Sequence, residues 1–108
     1  MSEILITVLD HGSTCVANQG DVILIRLEEN ITTGYQWDIG MIDSSMFELL
    51  DSDYSSSQGE GLLGSPGTRT FRFRAKSSGG VTIRLRLRRP WDPVDTAIEH
   101  FEVTVQVQ

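Results

Sequence analysis

A single cysteine, Cys15, rules out an internal disulfide in this 108-residue chain, so the fold must stand on packing alone. Histidine is scarce too. His11 and His100 lack ligand spacing with each other or with Cys15, so neither a metal site nor any other cofactor is expected. Cys15 itself sits in the apolar stretch Thr14-Cys15-Val16-Ala17, where a thiol reads as a small hydrophobe rather than a nucleophile, and no enzyme is expected. Long apolar runs are missing: nothing approaches the roughly 18 residues of a membrane helix, and no basic-then-apolar leader opens the chain. The expectation is no membrane partner and a cytoplasmic setting by default, or a secreted or periplasmic one if a leader has been removed.

What is present is a period of two. Ile23, Ile25 and Leu27 alternate with Leu24 and Arg26, and Phe71, Phe73 and Ala75 with Arg72, Arg74 and Lys76. Val81, Ile83, Leu85 and Leu87 alternate with Thr82, Arg84, Arg86 and Arg88; Phe101, Val103, Val105 and Val107 alternate with Glu102, Thr104 and Gln106. Such alternation marks strands with one buried face. Weaker strands are expected at Ile4 to Leu9, Thr14 to Ala17, Tyr35 to Ile39 and Phe47 to Tyr54. No segment has a helical period, and Ile42 to Leu50 can supply at most a turn. Turn residues punctuate the strands at His11-Gly12-Ser13, Asn18 to Asp21, Thr32-Thr33-Gly34, Ser77 to Gly80 and Arg89 to Pro93. The pattern predicts an all-β fold, an immunoglobulin-like antiparallel β-sandwich of seven to eight strands, as one domain over residues 1–108. Ser52 to Thr68, rich in serine and glycine, reads as a long flexible loop.

Charge is unevenly placed. The net charge is −6, yet eight of the nine basic residues lie between Arg69 and Arg89, where there is no acid. A +8 block of this kind can mark a nucleic-acid surface. In a sandwich, however, the strand of Arg72 and Arg74 and the strand of Arg84, Arg86 and Arg88 belong to opposite sheets, so their side chains face opposite ways. Cross-strand pairing with acids such as Asp38 and Glu102, and of Arg26 with Glu28, is expected instead, and nucleic acid is not an expected partner.

Three segments carry residues that a sandwich does not need. Asn30-Ile31-Thr32-Thr33-Gly34-Tyr35 presents two hydroxyls beside a glycine. Gly64-Ser65-Pro66-Gly67 precedes a strand and offers backbone groups to an extended partner. Arg89-Pro90-Trp91 follows a strand and sets an aromatic beside a rigid proline and a forked cation, the residue types that anchor protein interfaces. Taken singly, each could be an ordinary turn.

Together, in this order, the three resemble the signature loops of the chagasin-type inhibitors of papain-like cysteine peptidases: Asn-Pro-Thr-Thr-Gly-Tyr/Phe, Gly-X-Gly-Gly and Arg-Pro-Trp/Phe. The resemblance implies a single chagasin-like inhibitor domain, monomeric, that blocks a papain-like cysteine peptidase reversibly and competitively. It implies peptidase-binding roles for Asn30, Thr32, Thr33, Gly34, Tyr35, Gly64, Ser65, Pro66, Gly67, Arg89, Pro90 and Trp91, with Arg89 available to a carboxylate or carbonyl of the target. Two positions depart from the family pattern. Ile31 stands in place of proline and leaves the first loop to be held by its neighbours; it also makes Asn30-Ile31-Thr32 a glycosylation acceptor. Pro66 replaces a glycine and removes an amide N–H from the second loop. The alternative is an immunoglobulin-like binding or adhesion module without inhibitory activity.

Overall fold

The computed structural model describes residues 2–30, 33–40, 42–56, 67–93 and 96–108. They form eight strands: β1 (Glu3–Ile6), β2 (Thr14–Ala17), β3 (Val22–Glu29), β4 (Gln36–Ile39), β5 (Phe47–Ser56), β6 (Gly67–Ala75), β7 (Gly79–Arg88) and β8 (Glu99–Val107). One sheet has the order β1-β3-β6-β5 and the other β2-β8-β7-β4. The four alternating segments become β3, β6, β7 and β8, the two central strands of each sheet. Their inward positions are the core: Ile23, Ile25, Leu27, Phe71, Phe73, Ala75, Ile83, Leu85, Phe101, Val103, Val105 and Val107 are all buried. A fully buried side chain of this kind contributes about 1.5–3 kcal/mol.

The sandwich is not antiparallel throughout. β1 pairs parallel with β3 and β2 parallel with β8. The cause is local. Instead of continuing as a strand to Leu9, the chain turns in a 3-10 segment at Val8–Asp10, where Thr7 and Asp10 form a capping box. It then crosses to the other sheet as β2. The Asp21 carboxylate secures this edge by accepting from the Asn18 and Ser2 amides at 2.9 and 3.0 Å. Those bonds, the Asn18 one foremost, hold its pKa below the ordinary 3.8.

The charge block divides as the topology requires. Arg72 and Arg74 on β6 pair with Asp51 and Glu48 on β5. Arg84 on β7 pairs with Glu102 on β8, while Arg86 and Arg88 share Asp38 on β4. Most of these ends are exposed, so each pair contributes about 0–1 kcal/mol. One expectation needs correction, and one residue of the basic block stands apart. Arg26 has no ion pair with Glu28 or any other described acid; the two are alternate residues of one strand. Arg69 does not join the outward ladder: it shares the inward parity of Phe71 and Phe73, and reaches Glu29 at 2.8 Å.

Ser52 to Thr68 is also not one loop. β5 runs on to Ser56 and β6 starts at Gly67, paired in register through Tyr54↔Arg69 and Ser56↔Gly67. A Cβ on Gly67 would lie 2.6 Å from the Ser55 carbonyl oxygen and run into the Tyr54 phenol. Glycine here lets the two strands close, which is why polar, glycine-bearing sequence still forms a ladder.

Candidate functional site

The site is built by strand ends. β3 stops at Glu29 in one sheet and β4 starts at Gln36 in the other, so residues 30–35 bridge the two sheets at one end of the sandwich. Gln36 pairs with Arg88, and Leu87 with Glu99, so the connection from β7 to β8 leaves from that same end. The β5–β6 pairing finishes level with Glu29, which lies opposite Gly67.

In the first loop the Thr33 hydroxyl donates to the Asn30 carbonyl at 2.8 Å and accepts from the Tyr35 amide at 3.3 Å. Its amide also reaches the Asn30 carbonyl, at 3.2 Å. Thr33 thus folds the tip from inside, a hydroxyl doing what a fixed backbone angle does elsewhere. Gly34 follows with φ of 82°, a left-handed conformation that favours glycine.

In the third loop Asp92 donates its amide to the Arg89 carbonyl at 3.0 Å, closing a turn with Pro90 in its second position. Arg88 holds this turn from below. Its Nε donates to Asp38 at 2.9 Å, and its Nη1 donates to the Asp92 carbonyl at 3.1 Å and, more weakly, to those of Arg89 and Pro90.

The two loops interlock. The Arg89 guanidinium lies 4.5 Å from the centroid of the Tyr35 ring, a cation–π contact. Its Nε is buried with no hydrogen-bond partner among the described residues. The Trp91 indole packs over Gly34, where a Cβ would come within 2.8 Å of it. Even so, Trp91 is 69% exposed. A shallow depression between the loops is lined by Asn30, Thr33, Tyr35, Leu87, Arg89 and Ile98, among others.

Of the residues expected at the site, Asn30, Thr33, Gly34, Tyr35, Arg89, Pro90 and Trp91 are brought together. Thr32, Gly64, Ser65 and Pro66 lie outside the described residues. Gly67 is the first residue of a strand. Arg89, expected to be available to a target, rests on Tyr35.

Beneath the loops lies a group that loop reading misses. Glu29 accepts from the Trp37 amide at 2.8 Å and from Arg69 at two atoms, Nε at 3.3 Å and Nη2 at 2.8 Å. The Trp37 indole donates across the sheets to the Glu28 carbonyl at 2.9 Å. Parity was the available signal: Glu29 continues the inward series Ile23, Ile25, Leu27, and Arg69 precedes the inward Phe71. Elsewhere, burial first and then the neighbouring Asp10 push the Cys15 thiol pKa up, away from what a nucleophile needs.

The chain matches the Chagasin family peptidase inhibitor I42 over residues 16–105. Chagasin of Trypanosoma cruzi is 31% identical over 103 residues, spanning 91% of this chain and 92% of that protein. Amoebiasin-2 of Entamoeba histolytica is 27% identical over 88 residues, 82% of this chain and 72% of that one. The crystal structure of EhICP2, a cysteine protease inhibitor from Entamoeba histolytica, superimposes with a TM-score of 0.89 at 25% identity, over 100% of this chain and 97% of its own. Matched over most of its length, with two of the three signature loops folded into one surface, this chain belongs to the chagasin family of peptidase inhibitors.

Proposed function

We propose that the chain inhibits papain-like cysteine peptidases by laying the loop end of its sandwich into the substrate cleft, reversibly and in competition with substrate. The observation that carries this reading is the interlock of Gly34 and Tyr35 with Trp91 and Arg89. It makes two loops one preformed surface, so little ordering is left for binding to impose.

The small Thr32-Thr33-Gly34 tip approaches the catalytic groups of the target. The Thr33 hydroxyl is already committed to the turn, so the contact with the target is assigned to the Thr32 hydroxyl. A turn held by its own side chain presents no scissile carbonyl in near-attack geometry, and the inhibitor is therefore not cut. Trp91, on a turn fixed by Pro90 and Arg88, packs on an apolar wall beside the cleft, as exposed aromatic anchors do. The Gly64-Ser65-Pro66-Gly67 segment lies on the other side and pairs through its backbone, one amide short because of Pro66. One domain acting as a monomer can supply a standard interface of about 800 Å² on each partner.

Membership of the family makes the chain an inhibitor rather than an enzyme. Titration of an active papain-like peptidase with a fluorogenic substrate, beside a serine peptidase control, tests the reading.

A further inference from the structure

Among the described residues two carboxylates are buried, Asp21 at the β1–β3 edge and Glu29 beneath the loops; Glu29 is 1% exposed, and nothing in the binding surface explains it. Burying a carboxylate is unfavourable unless its oxygens are satisfied, and here they are. Oε1 takes the Trp37 amide and Arg69 Nε, and Oε2 takes Arg69 Nη2. The positions of these partners matter more than their number. Glu29 directly precedes Asn30, and Trp37 is the second residue of β4, so one carboxylate ties the two ends of the first loop across the gap between sheets. Arg69 lies two residues into β6, and its guanidinium sits 5.6 Å from the centroid of the Tyr54 ring on β5. The same carboxylate therefore also holds the base of the β5–β6 hairpin.

We propose that Glu29 is a positioning residue for inhibition: through Trp37 and Arg69 it sets the bases of the first and second loops relative to each other. The inference rests on the inhibitor reading above. Without this tie the loops sample other arrangements, and only the fraction in the competent one can dock. Such a loss appears in the association rate, because dissociation starts from a complex in which the loops are already held.

The test compares Glu29→Gln with Val105→Ala. Val105 is fully buried on β8, toward the end of the sandwich away from the loops, so its truncation lowers stability without touching them. Two quantities are measured on the full chain well below its melting temperature. One is amide hydrogen exchange at Tyr35 and Trp37, and the other is the association and dissociation rate constants with a papain-like peptidase. For Glu29→Gln, exchange at both amides rises and association slows by about tenfold or more, with dissociation changed less than about threefold. Val105→Ala lowers the melting temperature and leaves both readings as in the parent chain.

Unchanged exchange and association in folded Glu29→Gln would overturn the proposal, as would equal effects in Val105→Ala. Should Glu29→Gln not fold, Arg69→Lys reads the same assignment. An ammonium cannot form the two-atom contact, so association slows and exchange rises at Tyr54 and Thr68, while Trp37 stays protected. An Arg69→Lys chain that matches the parent in both would likewise overturn it. If the parent chain inhibits no papain-like peptidase, the inhibitor reading falls, and the exchange experiment still decides whether Glu29 orders the loops.

Discussion

The Trp91 indole rests on Gly34, with no room between them for a β-carbon. Residue 34 also has φ of 82°. Gly34→Ala therefore meets both a backbone strain of about 1–2 kcal/mol and the indole itself. The side chain of Trp91 must swing away. A shift in tryptophan emission, a drop of a few degrees in melting temperature and at least tenfold weaker inhibition are expected together.

Trp91→Ala separates binding from folding. An indole this exposed supports little of the core, so the change in stability stays within about 0.5 kcal/mol in a urea melt. As a binding anchor it is worth about 2 kcal/mol or more. Inhibition constants measured beside the melt show the dissociation.

Arg88 holds the third loop through carbonyls that no other described side chain caps. Arg88→Lys keeps the charge near Asp38 but cannot span both sites with one ammonium. Weakening of inhibition by about three- to tenfold, with nearly parental stability, is expected from paired kinetic and thermal measurements. Arg84→Gln, on the same strand but paired only with exposed Glu102, leaves inhibition unchanged.

Asp21 supplies an acid-sensitive latch. Its folded pKa is depressed by the Asn18 amide and then the Ser2 amide. The stability it adds is therefore present above the ordinary value of 3.8 and is lost as pH falls toward the folded value. The melting temperature of the parent chain declines below about pH 4, and the decline is shallower in Asp21→Asn. The parent's steeper slope is absent if the latch contributes nothing.

Much of this architecture is readable from alternation alone. Ile23, Ile25 and Leu27, or Phe101 through Val107, name their strand and buried face because a sandwich allows only one periodicity. Residues whose partners lie across the molecule are harder to read. Gly67 looks like loop sequence, yet it serves the packing of Tyr54. Arg69 looks like one more member of a basic ladder, and only its parity betrays that it points inward. Arg89 looks like a free cation, yet its guanidinium is stacked on Tyr35. In each case the local residue type suggests solvent, and a contact distant in sequence decides otherwise. The parallel pairings of β1 with β3 and of β2 with β8 escape for a similar reason, since they depend on a capped turn at Thr7 and Asp10 that resembles the end of a strand.

The central claim is that the loop end blocks a papain-like cleft. The direct measurement is steady-state hydrolysis of a fluorogenic peptide by an active papain-like peptidase at several substrate concentrations, titrated with the full chain. Competitive inhibition in the nanomolar range, weakened at least tenfold by Trp91→Ala and absent against a serine peptidase, is the predicted result. Undiminished hydrolysis at micromolar concentrations of the chain, across a panel of such peptidases, would contradict it.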